Sequence, residues 1–481
     1  MQVISYMRAG SELAPIEVEI SLMPGLPIIS FLGLPDAAIK ESVLRVKSAL
    51  REQGFVTPRA HQTLVHLRPS HLRKSSRGLD LAVAAGILWE TGQLPRPSGS
   101  TPFVYGELSL KGEILRPDDL DGADAIGEAP PVLTGPGAPH PSLTTLIAHD
   151  LRGLSNPLRV APGTSVWNPV RPTPACSAWP AAAAHLLAVV AAGEHPAVIA
   201  GPPGTGKTTL AEAVASFMVA PTFDEHRSAC KWAKGCGADK PTWRQRVQPH
   251  HSITPLAMIG GGSPLRPGEI TRAHGGVLIL DELLEFAPEV QEALREPLES
   301  GVISLARGGA ARTFPARFAM VATTNLCRCG YHDPFAEVTR CSCSRTRRAQ
   351  YLSRLSGPFL DRAQILAFSA DWRQSCTRDE SVASAQILAM VATAHDMRRA
   401  RLQRAPNAYA PLALLTDRLD AFEREQILRR PLGSARRSAA IVRTARTLAD
   451  IDGSFDIKSA HWAQAMRWSA CSFERLQAAG A

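Results

Sequence analysis

The nine residues from 201 to 209, Gly-Pro-Pro-Gly-Thr-Gly-Lys-Thr-Thr, constrain the fold of this 481-residue chain more than any other stretch. They contain the pattern Gly-x-x-x-x-Gly-Lys-Thr. The apolar run Ala197–Ala200 precedes them, and a stretch with helical character follows from Leu210. A buried strand, a glycine-rich loop and a helix in this order are the context in which such a loop wraps phosphate groups. The sequence therefore predicts an α/β core that binds a nucleotide. The alternative is a glycine-rich turn that binds nothing.

The residue types of this loop suit phosphate chemistry. Glycines let backbone N–H groups turn toward phosphate oxygens. Lys207 has the reach to contact the outer phosphates, and the hydroxyl of Thr208 suits Mg²⁺. We predict that the whole loop contacts the nucleotide, namely Gly201, Pro202, Pro203, Gly204, Thr205, Gly206, Lys207, Thr208 and Thr209.

Two later apolar runs end in polar residues. Residues 276–280 precede Asp281 and Glu282, and residues 318–324 precede Asn325. Open α/β sheets carry their chemistry at the carboxyl ends of strands. Asp281 is suited to hold Mg²⁺, Glu282 to orient the attacking water, and Asn325 to position that water beside the γ-phosphate. Taken alone, a strand that ends in Asn is an ordinary turn or helix cap.

Arginines form the next candidate group. The segments 302–306 and 312–314 predict a β-hairpin whose Arg307 and Arg312 would meet phosphates of a threaded polymer, unless these charges are merely solvated. Arg362 is a candidate to reach the γ-phosphate of a neighbouring subunit, since its guanidinium stays charged. Arg436, before a predicted helix, is a candidate sensor of nucleotide state.

Composition limits the class of protein. Hydrophobic residues make up 45% of the chain and charged residues 20%, which is typical of a globular protein. The net charge of +9 permits a polyanionic partner, although a generally Arg-rich composition would give the same balance. Neither a membrane-length apolar run nor a secretory signal is apparent. We expect a cytoplasmic protein without a membrane partner.

Four of the nine cysteines form two C-x-C pairs. Cys327, Cys329, Cys341 and Cys343 would make a tetrahedral Zn²⁺ site that fixes the loop after Asn325, with His332 as an alternative ligand. Four free cytosolic thiols are the other interpretation. Cys230 and Cys236 are a weaker candidate pair.

The chain divides into four parts. Residues 1–155 mix apolar alternation with helical stretches and predict an α+β domain, and residues 156–180 predict a Pro-rich linker. Residues 181–375 carry the nucleotide motifs in alternating strand and helix order, and residues 376–481 predict a helical domain. Residues 288–300 predict one continuous helix.

These ordered motifs resemble the AAA+ superfamily: a phosphate loop, an Asp-Glu strand, an Asn sensor and two later arginines. Further segments resemble the ComM/YifB family of magnesium-chelatase-like ATPases, and they are residues 33–42, 106–110, 260–262, 267–270, 356–362 and 444–450.

The resemblance implies three domains: an N-terminal Lon-protease-like domain of the ribosomal S5 type, an AAA+ core with a helix-2 insert and a pre-sensor hairpin, and a C-terminal helical lid. It implies ATP and Mg²⁺ as ligands and a homo-hexameric motor on single-stranded or branched DNA that promotes branch migration during natural transformation. Within the motif set, Asn325 corresponds to the first sensor, Arg362 to the arginine finger and Arg436 to the second sensor. The segment 230–248 departs from the family pattern.

Two alternatives to a DNA motor stay open: a chelatase-type or protein-remodelling ATPase, and a relative that binds ATP without hydrolysis. The complete set Lys207, Asp281, Glu282, Asn325 and Arg362 argues against the second. Peptidase activity is not expected. The turn that would carry a nucleophilic Ser reads Ser76-Arg77-Gly78, and no Lys lies between residues 112 and 206.

Overall fold

The computed structural model describes residues 1–9, 12–32, 37–58, 60–68, 77–96, 101–117, 119–120, 130–140, 143–163, 169–236, 241–262, 265–307, 310–334, 340–373, 381–416 and 434–480. The chain forms two compact units, Met1–Trp167 and Asn168–Ala481. The boundary between them falls inside the predicted linker.

The first unit contains ten strands and two α-helices among its described residues. The strands are β1 (Gln2–Ala9), β2 (Glu12–Pro24), β3 (Ile29–Leu32), β4 (His61–Arg68), β5 (Phe103–Val104), β6 (Glu107–Leu108), β7 (Ile114–Leu115), β8 (Val132–Thr134), β9 (Thr145–Ile147) and β10 (Leu158–Val160); the helices are α1 (Ala37–Glu52) and α2 (Asp80–Glu90).

Eight of these strands form one mixed sheet in the order β10-β9-β8-β5-β1-β2-β4-β3. The alternation along β4 buries Val65 and Leu67, as expected for a strand with one covered face. The covering helix α2 is buried from Asp80 to Trp89. It lies so close to the sheet that a Cβ on Gly86 would meet Ile20 Cδ1 at 2.2 Å. The absence of a side chain at Gly86 therefore allows α2 to pack this closely against the sheet.

A buried carboxylate joins the two helices of this unit. Asp80 is fully buried at the start of α2 and accepts hydrogen bonds from the hydroxyl of Ser42 and, at 2.6 Å, from Nε of Arg45 on α1. A buried charge requires such partners. Of the segments that the sequence analysis used here, residues 33–36 and Ser76 lie outside the described residues.

The second unit contains eleven further strands and fifteen further α-helices among its described residues. The strands are β11 (Ala178–Pro180), β12 (Ala197–Ala200), β13 (Arg246–Val247), β14 (Gly260–Gly261), β15 (Arg266–Pro267), β16 (Val277–Leu280), β17 (Val302–Arg307), β18 (Ala310–Pro315), β19 (Ala319–Thr324), β20 (Ile365–Phe368) and β21 (Ser381–Ala383).

The helices alternate with these strands along the chain and continue after the last of them. They are α3 (Ala181–Gly193), α4 (Lys207–Phe217), α5 (Phe223–Gly235), α6 (Pro255–Ile259), α7 (Glu269–Arg272), α8 (Pro288–Ala293), α9 (Arg295–Ser300), α10 (Arg345–Leu352), α11 (Gly357–Leu360), α12 (Ala370–Arg373), α13 (Ser384–Ala400), α14 (Leu412–Leu415), α15 (Ala435–Ile451), α16 (Ser459–Met466) and α17 (Ser472–Gly480).

Five parallel strands form the centre of this unit in the order β13-β16-β19-β12-β20. Ala197 and Ile199 belong to one hydrophobic cluster, and Val198 and Ala200 belong to another. Successive side chains of a strand point to opposite faces, so both faces of this sheet are covered. The prediction of an α/β core is confirmed, and its central sheet is parallel.

Two local predictions differ from the structure. The helix predicted over residues 288–300 divides into α8 and α9, because Pro297 has no N–H to donate to the carbonyl of Ala293, four residues earlier. The part after residue 376 is not wholly helical, since β21 pairs with β11 in an antiparallel ribbon. Among the described residues, no helix is both long and apolar enough to cross a membrane.

The fully buried His195 connects the end of α3 to two other elements of the second unit. Its Nδ1 lies 2.7 Å from Oε1 of Gln364, and its Nε2 lies 2.7 Å from Oγ1 of Thr447 on α15. A Cβ on Gly193 would meet the imidazole ring at 2.2 Å. Burial lowers the pKa of His195 to about 4, from its ordinary value of 6.5.

Acidification is expected to destabilise the second unit through His195. Because the folded pKa lies below the unfolded one, stability is complete above pH 6.5 and is lost as the pH falls toward 4. Over this window the free energy of unfolding of a His195→Gln variant should fall by about 3 kcal/mol less than that of the parent. Urea unfolding followed by Trp fluorescence across the window measures the difference. Equal pH dependence in the two proteins would show that His195 is not the titrating group.

Candidate nucleotide-binding site

The phosphate loop connects β12 to α4, which begins at Lys207. Gly204 and Gly206 have φ values of 74° and 81°, a region that favours glycine. Gly201 is restricted differently, since a Cβ there would meet Oγ of Ser369 at 1.9 Å. The backbone conformation of the loop therefore favours glycine at positions 204 and 206, and the close contact with Ser369 requires it at position 201.

The side chain of Lys207 folds back over its own loop. Its Nζ donates to the carbonyls of Gly201 at 2.9 Å and Pro202 at 2.7 Å, and lies 3.4 Å from Oδ1 of Asn325. Burial lowers the pKa of the ammonium, while the carboxylates of Asp281 and Glu282 oppose that shift. The loop thus presents a positive charge beside the predicted sensor residue.

The order of the strands places Asp281, the predicted Mg²⁺ ligand, against Thr208 of the phosphate loop. Because β19 lies between β12 and β16, the carboxyl ends of all three strands meet at one edge of the sheet. Oγ1 of Thr208 donates to Oδ1 of Asp281 at 3.0 Å, and the hydroxyl of Thr323 donates to the same carboxylate oxygen. Hydroxyl and carboxylate oxygens are the donors that Mg²⁺ prefers, so this pair fits a magnesium ion.

Glu282 has a strained backbone at the point where a water-activating residue is predicted. Its φ of 55° and ψ of 54° are left-handed, which is uncommon for a residue other than glycine. Its N–H donates to Oγ1 of Thr323 at 3.1 Å, and its side chain is exposed. Such strain persists only where surrounding contacts enforce it, and it is concentrated at functional sites. Thr323 enforces it here and also holds Asp281.

A small cleft of about 200 Å³ lies next to the loop. Trp372 lines it and donates from Nε1 to the carbonyl of Thr205 at 2.9 Å. His185 and Trp468 line it as well, with their rings 6.5 Å apart in an edge-to-face arrangement. The cleft therefore offers aromatic surfaces within reach of the phosphate loop.

The two candidate arginines share one carboxylate. Arg362 Nη2 lies 2.6 Å from Oε2 of Glu299, and Arg436 Nη2 lies 2.9 Å from Oε1 of the same residue. Hydrogen bonds from Arg436 and Arg362 lower the pKa of Glu299. The structure thus brings Arg362 and Arg436 together, and their contacts are with Glu299 and neighbouring groups of the same subunit.

The start of α15 is tied to the segment that carries Arg362. Ser434 caps this helix by accepting from the N–H of Arg437, and its hydroxyl donates to Oδ1 of Asp361 at 2.8 Å. Arg437 donates to the carbonyls of Ala363 and Leu360. A displacement of either segment would therefore carry the other with it.

The predicted hairpin is present as β17 and β18. Phe314 of β18 packs against Trp232 of α5 with ring centroids 5.8 Å apart, and the guanidinium of Arg312 lies over the ring of Phe314. The turn residues 308–309 and the side chain of Arg307 lie outside the described residues.

The four cysteines of the C-x-C pairs are brought together. Their sulfurs all lie within 4.8 Å of one another, with Cys327 3.2 Å from Cys329 and 3.6 Å from Cys341. This donor set fits a tetrahedral thiolate site for Zn²⁺. His332 instead donates its backbone N–H to the sulfur of Cys327.

The weaker cysteine pair has other partners. Cys230 contacts His226, and Cys236 contacts the carbonyl of Gly268. Across the part of the chain that the structure describes, the four-cysteine cluster is the one group of three or more close metal-ligating side chains.

The cysteine loop also contacts the phosphate loop. A Cβ on Gly330 would lie 3.3 Å from Pro203 and 3.9 Å from the amide nitrogen of Asn325. Gly330 has a φ of 84°, so its lack of a side chain serves both the turn and the close approach.

Sequence reasoning did not identify Thr323, Glu299, Ser369 or Trp372 as parts of this region. The polar end of β19 was a signal for Thr323. The other three had no comparable signal, because each is an ordinary residue type whose importance arises from a neighbour distant in sequence. Ser369 is fully buried, and its hydroxyl has no hydrogen-bond partner among the described residues.

Comparison with protein families gives three matches along the chain. The family described as magnesium chelatase, subunit ChlI, matches residues 179–375. The description subunit ChlI of Mg-chelatase matches residues 17–120, and magnesium chelatase, subunit ChlI C-terminal, matches residues 381–468. The matched segments thus include both compact units.

Individual relatives match over most of their length. The chain is 32% identical over 495 residues to the uncharacterised protein YifB of Salmonella typhimurium, covering 96% of this chain and 95% of the relative. It is 32% identical over 505 residues to the competence protein ComM of Haemophilus influenzae, covering 97% of each. An uncharacterised protein of Mycobacterium tuberculosis is 35% identical over 371 residues, which is 73% of each chain.

The match to the magnesium-chelatase family implies an ATPase and suggests ATP and Mg²⁺ as ligands. The chain belongs to the ComM/YifB family of magnesium-chelatase-like AAA+ proteins.

Proposed function

We propose that this protein is an ATP-driven motor that acts on single-stranded or branched DNA as a ring of identical subunits. The observation that carries the proposal is the meeting of Thr208 and Asp281 at 3.0 Å, beside the contact of Lys207 with Asn325. These side chains follow the carboxyl ends of three adjacent strands and fit one bound Mg·ATP. The name of the competence protein ComM is in keeping with work on DNA.

In this proposal each residue of the site has one task. Lys207 exchanges its contacts with loop carbonyls for phosphate oxygens, and Thr208 and Asp281 hold Mg²⁺, which would neutralise phosphate charge. Glu282, exposed and held by Thr323, orients the attacking water, and Asn325 positions it. Trp372 and Trp468 are proposed to receive the nucleobase in the adjacent cleft.

We further propose that the two arginines on Glu299 act on the site of the neighbouring subunit. Both contact Glu299 of their own subunit, and among the described contacts neither reaches a residue of the phosphate loop. An arginine supplied by a neighbour stabilises charge that develops on the γ-phosphate. Ring assembly would then require both to leave Glu299.

We also propose a role for each domain, by analogy with the family. The first unit would be the Lon-like domain of the family without a catalytic dyad, and the region after residue 376 would be the helical lid. Arg307 and Arg312 of the hairpin would contact DNA phosphates, and the net charge of +9 suits a polyanionic partner. The four-cysteine cluster would hold a structural Zn²⁺ that fixes the loop between Asn325 and Arg362.

A mixture of two inactive variants should recover ATP hydrolysis. Glu282→Gln removes the group that orients water, and Arg362→Ala removes the group supplied to a neighbour, so each alone should retain about 1% of the parent rate. In mixed rings, an Arg362→Ala subunit keeps its own Glu282 and receives Arg362 from a Glu282→Gln neighbour. Random mixing makes about a quarter of the interfaces competent. Phosphate release measures the rate.

The matched control for this mixture is Glu289→Gln, an exposed glutamate on α8 that should leave the rate unchanged. The Glu282→Gln variant should still bind ATP. If the mixture is as inactive as its components, Arg362 does not act between subunits. If Glu282→Gln hydrolyses ATP normally, another residue orients the water.

DNA should raise the rate of ATP hydrolysis. Phosphate release is measured alone and with single-stranded, forked and three-stranded DNA, and binding is measured over a range of salt. Contacts between arginines and phosphates predict binding that weakens steeply as salt rises. If no DNA stimulates hydrolysis and none binds at low salt, the chelatase-type or protein-remodelling alternative replaces the DNA motor.

The purified protein should contain about one zinc ion per chain, because four thiolates complete a structural zinc site. Elemental analysis is expected to show loss of zinc in the double variant Cys327→Ser/Cys341→Ser. Cys471→Ser is the matched control, since Cys471 lies outside the cluster and should leave the metal content unchanged. Parent protein purified without chelator and free of zinc would contradict the assignment.

A further inference from the structure

A cleft with fully described lining lies in the first unit, and none of its lining residues belongs to the nucleotide site. Its volume is about 570 Å³, which is within the range of ligand-binding pockets. It opens where α1 ends and where β3 and β4 begin, and its walls come from these elements and from residues 55–58. The floor includes the fully buried side chains of Leu50 and Ile87.

One face of α1 forms a wall of this cleft. Leu44, Lys47, Ser48 and Arg51 line it, and their spacing of three, one and three residues places them on the same side of the helix. Leu44 is 70% exposed. Leu44 therefore adds exposed apolar surface to this wall of the cleft.

The apolar surface extends along the mouth of the cleft. Ile28 and Val56 line it and are 48% and 60% exposed, and Leu26 just before them is 72% exposed. Large apolar side chains gathered in this way mark interaction sites, whereas single exposed ones do not. The extended form of the surface suits a length of chain better than a compact small molecule.

The ionisable side chains that line the cleft are all basic. Lys47, Arg51 and His61 line it, and no carboxylate does. Among the described residues, none of the three forms an ion pair or a side-chain hydrogen bond. By contrast, Arg45 on another side of the same helix is paired with Asp80 and Glu41. The basic charge of the cleft is therefore available to an acidic partner.

An edge strand borders the same cleft. β3 is the last strand of its sheet, and β4 is its one neighbour among the described strands. Ile28 and Ile29, at the start of β3, line the cleft. The edge of a sheet offers backbone N–H and C=O groups to an added strand, and a helix beside that edge supplies side-chain specificity.

We propose that this cleft binds a short extended segment of a partner protein that carries apolar side chains and at least two Asp or Glu residues. The apolar side chains would enter beside Leu44 and Ile28, and the acidic groups would meet Lys47 and Arg51. The site is independent of the proposed function, because it would recruit a partner whether or not that function is correct.

The test uses the full chain as bait for a library of random twelve-residue peptides displayed on phage. Enriched peptides are synthesised with a fluorescent label and titrated against the chain by anisotropy. They are expected to combine apolar and acidic residues. Leu44→Asp and the double variant Lys47→Glu/Arg51→Glu should each weaken binding by about tenfold or more, since each places repulsive or poorly matched groups at the contact.

Matched controls are available on the opposite edge of the same sheet. Leu158→Asp and Arg159→Glu on β10 change the same residue types at exposed positions and should leave peptide affinity unchanged. All variants should retain the circular dichroism spectrum of the parent, because the substituted side chains are at the surface.

Three results would overturn the proposal. The first is a failure to enrich any peptide. The second is enrichment of peptides without acidic residues, or of peptides that bind the Leu44→Asp and Lys47→Glu/Arg51→Glu proteins as well as the parent. The third is binding of decanoate, but of no acidic peptide, at this cleft, which would make it a site for small anionic amphiphiles. None of these results bears on ATP hydrolysis, so failure here is separable from failure of the motor proposal.

Discussion

The placement of β19 between β12 and β16 is the constraint on which the whole nucleotide site depends. The three strands are parallel and in register, so the loop after β12, the carboxylates after β16 and the polar end of β19 emerge at one edge. Thr323 on the central strand then serves both neighbours, by donating to Asp281 and by accepting from the N–H of Glu282. Any change of strand order would separate Thr208 from Asp281, whatever the local sequence of the loop.

The sequence predicted this edge well because each motif is local and its order along the chain is informative. The strands 197–200, 277–280 and 319–324 are short apolar runs that end in polar residues, and a sheet with two covered faces requires such runs. The sequence could not show that Arg362 and Arg436 share Glu299. Glu299 precedes them by 63 and 137 residues, and a glutamate near the end of a helix carries no signal of its partners. The ribbon of β11 and β21 was missed for a similar reason, since three-residue strands have too little periodicity.

The shared contact with Glu299 bears on the proposal that Arg362 and Arg436 act on a neighbouring subunit. A carboxylate with two arginine partners is a favourable local arrangement, although exposure to solvent weakens each pair. A neighbour's γ-phosphate carries more charge than one carboxylate and would compete for the same guanidinium groups. Ser434, Asp361 and Arg437 join the start of α15 to the segment of Arg362. Release of Arg362 from Glu299 would therefore also affect the position of α15. Nucleotide state and lid position would then be linked through one short segment.

The cysteine loop provides a second link of this kind, from the opposite side of the phosphate loop. Gly330 packs on Pro203 and close to the amide of Asn325, within the same turn that holds Cys327 and Cys329. A tetrahedral thiolate site restricts four sulfurs at once, so it would hold this turn more firmly than the neighbouring packing alone. The position of Asn325 relative to Lys207 would then depend on two fixed bodies, the parallel sheet and the cysteine cluster. Asn325, the proposed sensor residue, lies between Lys207 and Gly330, so a bound phosphate that moves it would affect both.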